Sequence, residues 1–324
     1  MNRGSVLLLL IVGAAAVVVG APFIGPVSLP FAVAFDPLGA DSASRIFWQI
    51  RVPRVAAAFL GGAGLAVGGA VFQAVFRNPL ATPYILGVAA GASFGVAAVA
   101  RIGVGVVVLG LGLQSWSALA GALLAVSIVW LLTKIRPDAA TSTLLLAGVS
   151  LNFFFSSLIL FLQYTASFAD AYRVLRWLMG GLGGVDLTSV AQMTPFVALG
   201  MAVIFAFGRE LDLLATGSEL AASRGVAVAG TRTTLFVATS VMVGGVVAAC
   251  GPIGFVGMMS PHICRLLLGP GHRLLLPASA VFGGAFLVLC DTAARTMMAP
   301  AELPVGVITA FLGAPFFLWL LLRK

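Results

Sequence analysis

An all-α integral membrane fold of about ten spanning helices is predicted for this chain by three observations. Of its 324 residues 61% are hydrophobic and only 9% charged, and the mean hydropathy is +1.14. A water-soluble domain cannot hide that much apolar surface. A helix needs about 20 residues to cross a bilayer, so this length holds roughly ten crossings joined by short loops and leaves no room for a sizeable soluble domain. Residues 1–324 therefore read as one transmembrane domain.

Apolar runs broken by proline, glycine and charge place the spans near 5–25, 53–76, 84–108, 115–133, 142–164, 188–208, 231–250, 253–268, 276–294 and 304–322. The first, Val6 to Val19 behind Arg3, resembles a signal peptide in composition, but no small-x-small site followed by a soluble region accompanies it, so it reads as a span. The second and third carry small residues at close spacing, Gly61, Gly62, Ala63 and Gly64 with Gly68 and Gly69, then Gly87, Gly91 and Gly95. In lipid such residues let helix backbones approach closely. The eighth is short and bracketed by Gly251-Pro252 and Gly269-Pro270, which marks a half-span or a steeply packed helix.

With the N-terminus inside, eleven of the eighteen basic residues fall on the cytoplasmic side: Arg3, Arg77, Lys134, Arg136, Arg209, Arg224, Arg232, Arg265, Arg273, Arg323 and Lys324. Arg45, Arg51, Arg54, Arg101, Arg173, Arg176 and Arg295 are left outside. The net charge of +8 is spread over loop ends with no stripe of stacking aromatics, so it reads as topology signal and lipid contact, not nucleic-acid binding. Cys250, Cys264 and Cys290 lie in apolar runs without CxxC spacing and read as structural.

Asp291 and Arg295 stand one helical turn apart, where they can pair. The spans carry no convincing midplane carboxylate, which an ion-coupled secondary carrier would need. HExxH does not occur, which argues against an intramembrane metalloenzyme, and no Walker A sequence occurs either.

Four segments stand out. Arg51-Val52-Pro53-Arg54 puts two arginines at the start of a Gly/Ala-rich helix. Gln73 to Pro83 is a proline-broken turn. Gly208 to Thr231 is the longest internal polar stretch; it holds Glu210, Asp212, Glu219 and Arg224, with Thr216 and Ser218 as capping residues, and suits two short helices joined by a turn. The last comprises Gly251 to Arg265 and Ala301 to Pro315; His262, beside Pro261, reads as a helix-end residue and His272 as a loop residue.

Together, RVPR, RNPLATP (77–83), LLLAG (144–148), MGGLGGVD (179–186), GFVG with SPHICR (254–265) and AELPVGVITAFLGAP (301–315) resemble the permeases of iron-chelate, haem and vitamin B12 ABC importers over essentially the whole chain. The resemblance implies an inner-membrane homodimer with a central pathway, two cytoplasmic ATP-binding-cassette ATPases that use ATP and Mg, and a periplasmic substrate-binding protein. The chain itself would hold no cofactor and have no catalytic residue. Arg51, Arg54 and Arg295 match outward arginines that dock the binding protein, with Asp291 positioning Arg295. Gly217, Ser218, Glu219, Leu220, Ala221, Ala222, Ser223, Arg224, Gly225 and Val226, within loop 208–231, match the element received by the ATPase. Asn78, Leu80, Thr141 and Ser142 match a cytoplasmic gate. Arg224-Gly225 departs from the leucine-glycine common in relatives. The cargo reads as cobalamin, haem or a ferric siderophore, with both termini cytoplasmic.

Overall fold

Helices dominate because in hydrocarbon every backbone N–H and C=O must be satisfied within its own segment. The computed structural model describes residues 2–39, 41–100, 107–108, 111–135 and 141–322. Ten apolar helices stand at the expected spans: α1 (Arg3–Gly20), α3 (Val52–Val75), α4 (Val88–Ala100), α5 (Leu113–Ile135), α6 (Thr141–Tyr164), α8 (Leu187–Ala206), α11 (Val228–Cys250), α12 (Val256–Leu268), α13 (His272–Thr296) and α14 (Val305–Leu322). Seven are long and apolar enough to cross a bilayer; α4, α12 and α14 are shorter apolar helices. Four further helices are not apolar crossings: α2 (Ser42–Arg45), α7 (Phe168–Leu178), α9 (Gly208–Thr216) and α10 (Ser218–Ser223).

The bundle is built around α3. In its span 83% of residues are buried, against 17% in α1 and in α6, so α3 is the central post while α1 and α6 face lipid or a partner. Helices α8, α11, α12 and α13 pack directly on α3. Glycine makes the closest crossing possible: a Cβ on Gly69 would fall on the carbonyl oxygen of Gly257 in α12. At the periphery α6 exposes Leu146, Phe153, Phe154, Leu160 and Phe161, and α14 exposes Phe311, Leu318 and Leu322.

Two expectations need correction, and one connection holds an unexpected helix. The second span begins earlier than Pro53, because α2 runs through a π-helical stretch, Ile46–Arg51, straight into α3. The third span is shorter than 84–108. Pro79 and Pro83 keep the chain in turns up to Gly87, and Asn152 Nδ2 satisfies that irregular backbone by donating to the carbonyls of Tyr84 (3.1 Å) and Ile85 (2.8 Å). Beyond α4, Val107–Val108 and Leu111–Gly112 pair as a small antiparallel hairpin, β1–β2.

The region between the fifth and sixth spans is not plain loop, since α7 occupies it. Ser167 caps α7, accepting from the Asp170 N–H at 3.2 Å and donating to Asp170 Oδ2 at 2.7 Å. That reciprocal Ser-x-x-Asp cap was the available sequence signal. Val174 turns the amphipathic helix onto Ala97 and Ile159, leaving Arg173 and Arg176 exposed.

Candidate functional sites at the two ends of the bundle

At one end, α3, α13 and the segment after α1 converge on a buried ionic cluster. Arg54 Nε lies 3.0 and 2.9 Å from the two carboxylate oxygens of Asp291, and Arg54 Nη1 lies 2.8 Å from Glu302 Oε2. Arg51 Nη1 donates to the Pro22 carbonyl at 3.0 Å, and its Nη2 to that of Val27. Arg295 Nη2 donates to the Ala21 carbonyl at 2.7 Å and to Thr292 Oγ1 at 3.1 Å.

Two sequence readings change here. Asp291 does not hold Arg295 one turn along its own helix. It reaches across the α3–α13 interface, where Arg54 meets both oxygens at once, while Arg295 turns back to the end of α1. The three arginines are also not offered to an incoming protein in this conformation, being 4%, 5% and 2% exposed. The chain from Ala21 to Val27 covers Arg51 and Arg295, pinned by its own carbonyls and by a ring cluster in which Phe23 touches Phe31 and Phe47, while Arg54 is held between Asp291 and Glu302. A guanidinium that lacks a carboxylate partner takes carbonyl oxygens instead, because a buried donor left unmade is expensive.

At the other end, Asn78 and Leu80 share one turn after α3. Asn78 Oδ1 accepts the Leu80 N–H at 2.9 Å, and Leu80 is 41% exposed. Thr141 and Ser142 open α6, but their side chains lie outside the described residues. A cavity of about 420 Å³ opens between α4 and α6, and its lining sets Phe153 beside the polar groups of Tyr84, Ser93, Asn152 and Ser156 without a charged side chain. Arg265 Nη2 donates to Gln73 Oε1 at 2.9 Å, and Gln73 Nε2 to the Met258 carbonyl at 3.3 Å, which ties α12 to α3. Sequence reading missed that link, because nothing local connects residues so far apart in the chain.

The polar stretch 208–231 forms two helices, α9 and α10, joined at Gly217. Leu211 and Leu214 bury α9 against the bundle, where it packs on α3 and α13. Thr216 and Ser218 do not act as caps. Thr216 Oγ1 donates back to the Leu213 carbonyl, and Ser218 Oγ accepts from Arg232 Nη2 at 2.9 Å. The following residues divide by face: Glu219, Leu220, Ala222, Ser223, Arg224 and Gly225 are exposed, Ala221 is buried and Val226 half-buried. Gly217 has φ +145° and ψ 150°, a region essentially reserved for glycine. Gly217→Ala should therefore cost about 1–3 kcal/mol locally and turn α10 away from its direction; a lowered unfolding temperature of the purified protein in detergent checks this.

His262 is the seventh residue of α12, with its ring 6.1 Å from Phe316 and 6.3 Å from Phe317, so it is not a helix-end residue. Among the described residues no group of three His, Cys, Asp or Glu side chains is placed to hold a metal ion.

This arrangement defines a many-helix membrane permease with a polar hairpin at one end and a buried ionic cluster at the other. The sequence model of the FecCD transport family matches residues 8–323, and the chain belongs to that family. It is 42% identical over 293 residues to the vitamin B12 import system permease protein BtuC of Escherichia coli (strain E24377A), covering 89% of this chain and 86% of that protein. To BtuC of Salmonella arizonae it is 44% identical over 281 residues, covering 86% and 83%. Among solved structures, a metal-chelate type ABC transporter in an inward-facing conformation superposes with a TM-score of 0.88 at 29% identity, covering 99% of this chain and 100% of that one. The PsaBC structure from Streptococcus pneumoniae, at 18% identity and a TM-score of 0.60 over 89% and 94% of the two chains, shares the fold. The chain is thus a transport subunit and not an enzyme.

Proposed function

We propose that this chain is the inner-membrane permease of an ABC importer that moves a bulky metal chelate, cobalamin in the first instance, from periplasm to cytoplasm. The observation that carries the reading is the match to vitamin B12 permeases over nine-tenths of the chain together with full-length superposition on a metal-chelate transporter. Two copies would enclose the pathway between them, and the exposed apolar faces of α6 and α14 support that pairing. A lining of aromatic, hydroxyl and amide groups suits passage without a charge trap. Asn78, Leu80, Thr141 and Ser142 would narrow its cytoplasmic exit.

Energy would come from two ATPase subunits that bind ATP and Mg and receive the exposed face of α10 and its flanks, Gly217 to Val226. Hydrolysis would then switch the helices between outward-open and inward-open states. Both termini would be cytoplasmic. A periplasmic binding protein would dock on the opposite face through carboxylates that reach Arg51, Arg54 and Arg295 once the Ala21–Val27 segment moves aside. Docking driven by charge complementarity should weaken as salt rises from about 0.05 to 0.5 M, where the screening length falls below roughly 5 Å. Surface plasmon resonance on the reconstituted permease reads this directly. Arg51→Glu should slow docking by reversing one of the three charges, and it also gives up the bonds to the Pro22 and Val27 carbonyls.

The test of cargo is uptake into proteoliposomes that hold the chain with its ATPase and binding protein, offered labelled cobalamin, haem and a ferric siderophore in parallel. Cobalamin should enter in preference. Preferential entry of haem or siderophore would transfer the assignment to that chelate.

A further inference from the structure

Among the described residues the ATPase-facing hairpin meets the spanning helices through apolar packing and through the side chains of Ser218, bonded to Arg232, and Asp212, bonded to His272. Asp212 lies on α9, beside the buried Leu211. Its Oδ1 accepts two hydrogens from the first residue of α13: the backbone N–H of His272 at 2.8 Å and the ring Nδ1–H at 2.7 Å. An ionised carboxylate only accepts, so Nδ1 carries the proton. His272 is buried, 3% exposed, and is the opening residue of a helix, not of a loop. The carboxylate thereby caps one of the orphan N–H groups of α13 and faces the positive end of its dipole.

Helix α13 is the element with most to transmit. Its 25 residues span about 37 Å, the full depth of the membrane. Its far end is fixed as firmly as its start, by Asp291 to Arg54 and by Arg295 to the Ala21 carbonyl. Leucine packing alone lets α9 slide along its neighbours, since apolar contact has no direction. A pair of hydrogen bonds to one helix terminus sets a fixed point.

We infer that Asp212 is a positioning residue that ties the ATPase-facing hairpin to the start of α13, so that displacement of α9 and α10 is carried along α13 to the buried arginine cluster at its other end. This rests on the importer reading above. The link concerns the efficiency with which hydrolysis becomes transport, not the affinity of the ATPase for the permease.

The experiment compares wild type, Asp212→Ala, Asp212→Asn and His272→Leu in proteoliposomes with the partner ATPase and binding protein. It records cobalamin transported per ATP hydrolysed, ATPase co-purification and thermal unfolding. Asp212→Ala should lower cargo per ATP on the order of fivefold or more, the scale of ordinary site-to-site coupling, with hydrolysis and co-purification retained. Asp212→Asn, whose amide oxygen still accepts from the helix terminus, should keep most of the ratio. Should Asp212→Ala fail to assemble, His272→Leu, which loses only the ring bond, must show the lowered ratio. An unchanged ratio overturns the inference, as does a loss of hydrolysis and transport in step with a lower unfolding temperature, or an Asn variant as poor as Ala. A wild type without ATP-driven uptake of cobalamin, haem or siderophore overturns the importer reading itself, and the inference falls with it.

Discussion

Replacing Asp291 with alanine is expected to remove most of the folded protein from the membrane. The substitution strands Arg54, 5% exposed, beside an apolar interface with only the rim carboxylate of Glu302 to answer its charge. Breaking one partner of a buried pair costs about 3–5 kcal/mol, because the remaining charge stays desolvated. That is a large share of a marginal folding free energy. Removing both charges is a different matter, since apolar replacements of similar volume often restore stability. Arg54→Leu/Asp291→Leu should therefore recover much of the monodisperse protein that Asp291→Ala loses. Arg295→Ala/Asp291→Ala should not. Size-exclusion yield and unfolding temperature in detergent separate the two; recovery in the Arg295 pair would return Asp291 to the helical-turn partner that sequence spacing suggests.

The second large effect belongs to the α3–α12 crossing. Gly69→Ala puts a methyl group where the Gly257 carbonyl stands, so either the helices part or the backbone distorts. Overpacking of this kind costs about 1–3 kcal/mol, and backbone against backbone belongs at the upper end because neither can rotate away. Gly69→Leu should be worse still. The control is Gly13→Ala in α1, where nothing lies within 4 Å of the added carbon, and its unfolding temperature should match wild type. Equal effects at the two glycines would mean that the crossing has slack.

Much of the fold was legible in the sequence because the membrane restricts the alternatives. Within a single apolar run only a helix satisfies the backbone in lipid, so apolar run length sufficed to locate all ten apolar helices, and the positions of Gly251 and Gly269 marked the short α12. Where charge and small polar groups take over from hydropathy, legibility fell. Helix α7 announced itself only through Ser167 and Asp170, a local cap easily passed over in an otherwise polar connection. The early start of the α2–α3 run was hidden by Pro53, which reads as a first-turn residue although a π-helical stretch precedes it.

The site residues divide in the same way. That loop 208–231 forms two short helices was readable from composition, although the position of the join at Gly217 was not. The partners of those residues were not. Asp212 to His272, Gln73 to Arg265 and Arg54 to Asp291 all join positions that are distant in the chain, and one-dimensional spacing rewards the nearest opposite charge. Hence Asp291 was matched to Arg295 when the packing of α3 on α13 gives it Arg54. Burial of the arginines was equally hidden, because the covering segment Ala21 to Val27 carries no charge and acts through its carbonyl groups.

The decisive measurement is cobalamin uptake into proteoliposomes holding the chain with its ATPase and binding protein, energised by ATP in one set and by a proton or sodium gradient without ATP in another. The account predicts accumulation with ATP, none with a non-hydrolysable analogue, and none with either gradient alone. Accumulation driven by a gradient in the absence of ATP would contradict it and make the chain an ion-coupled carrier.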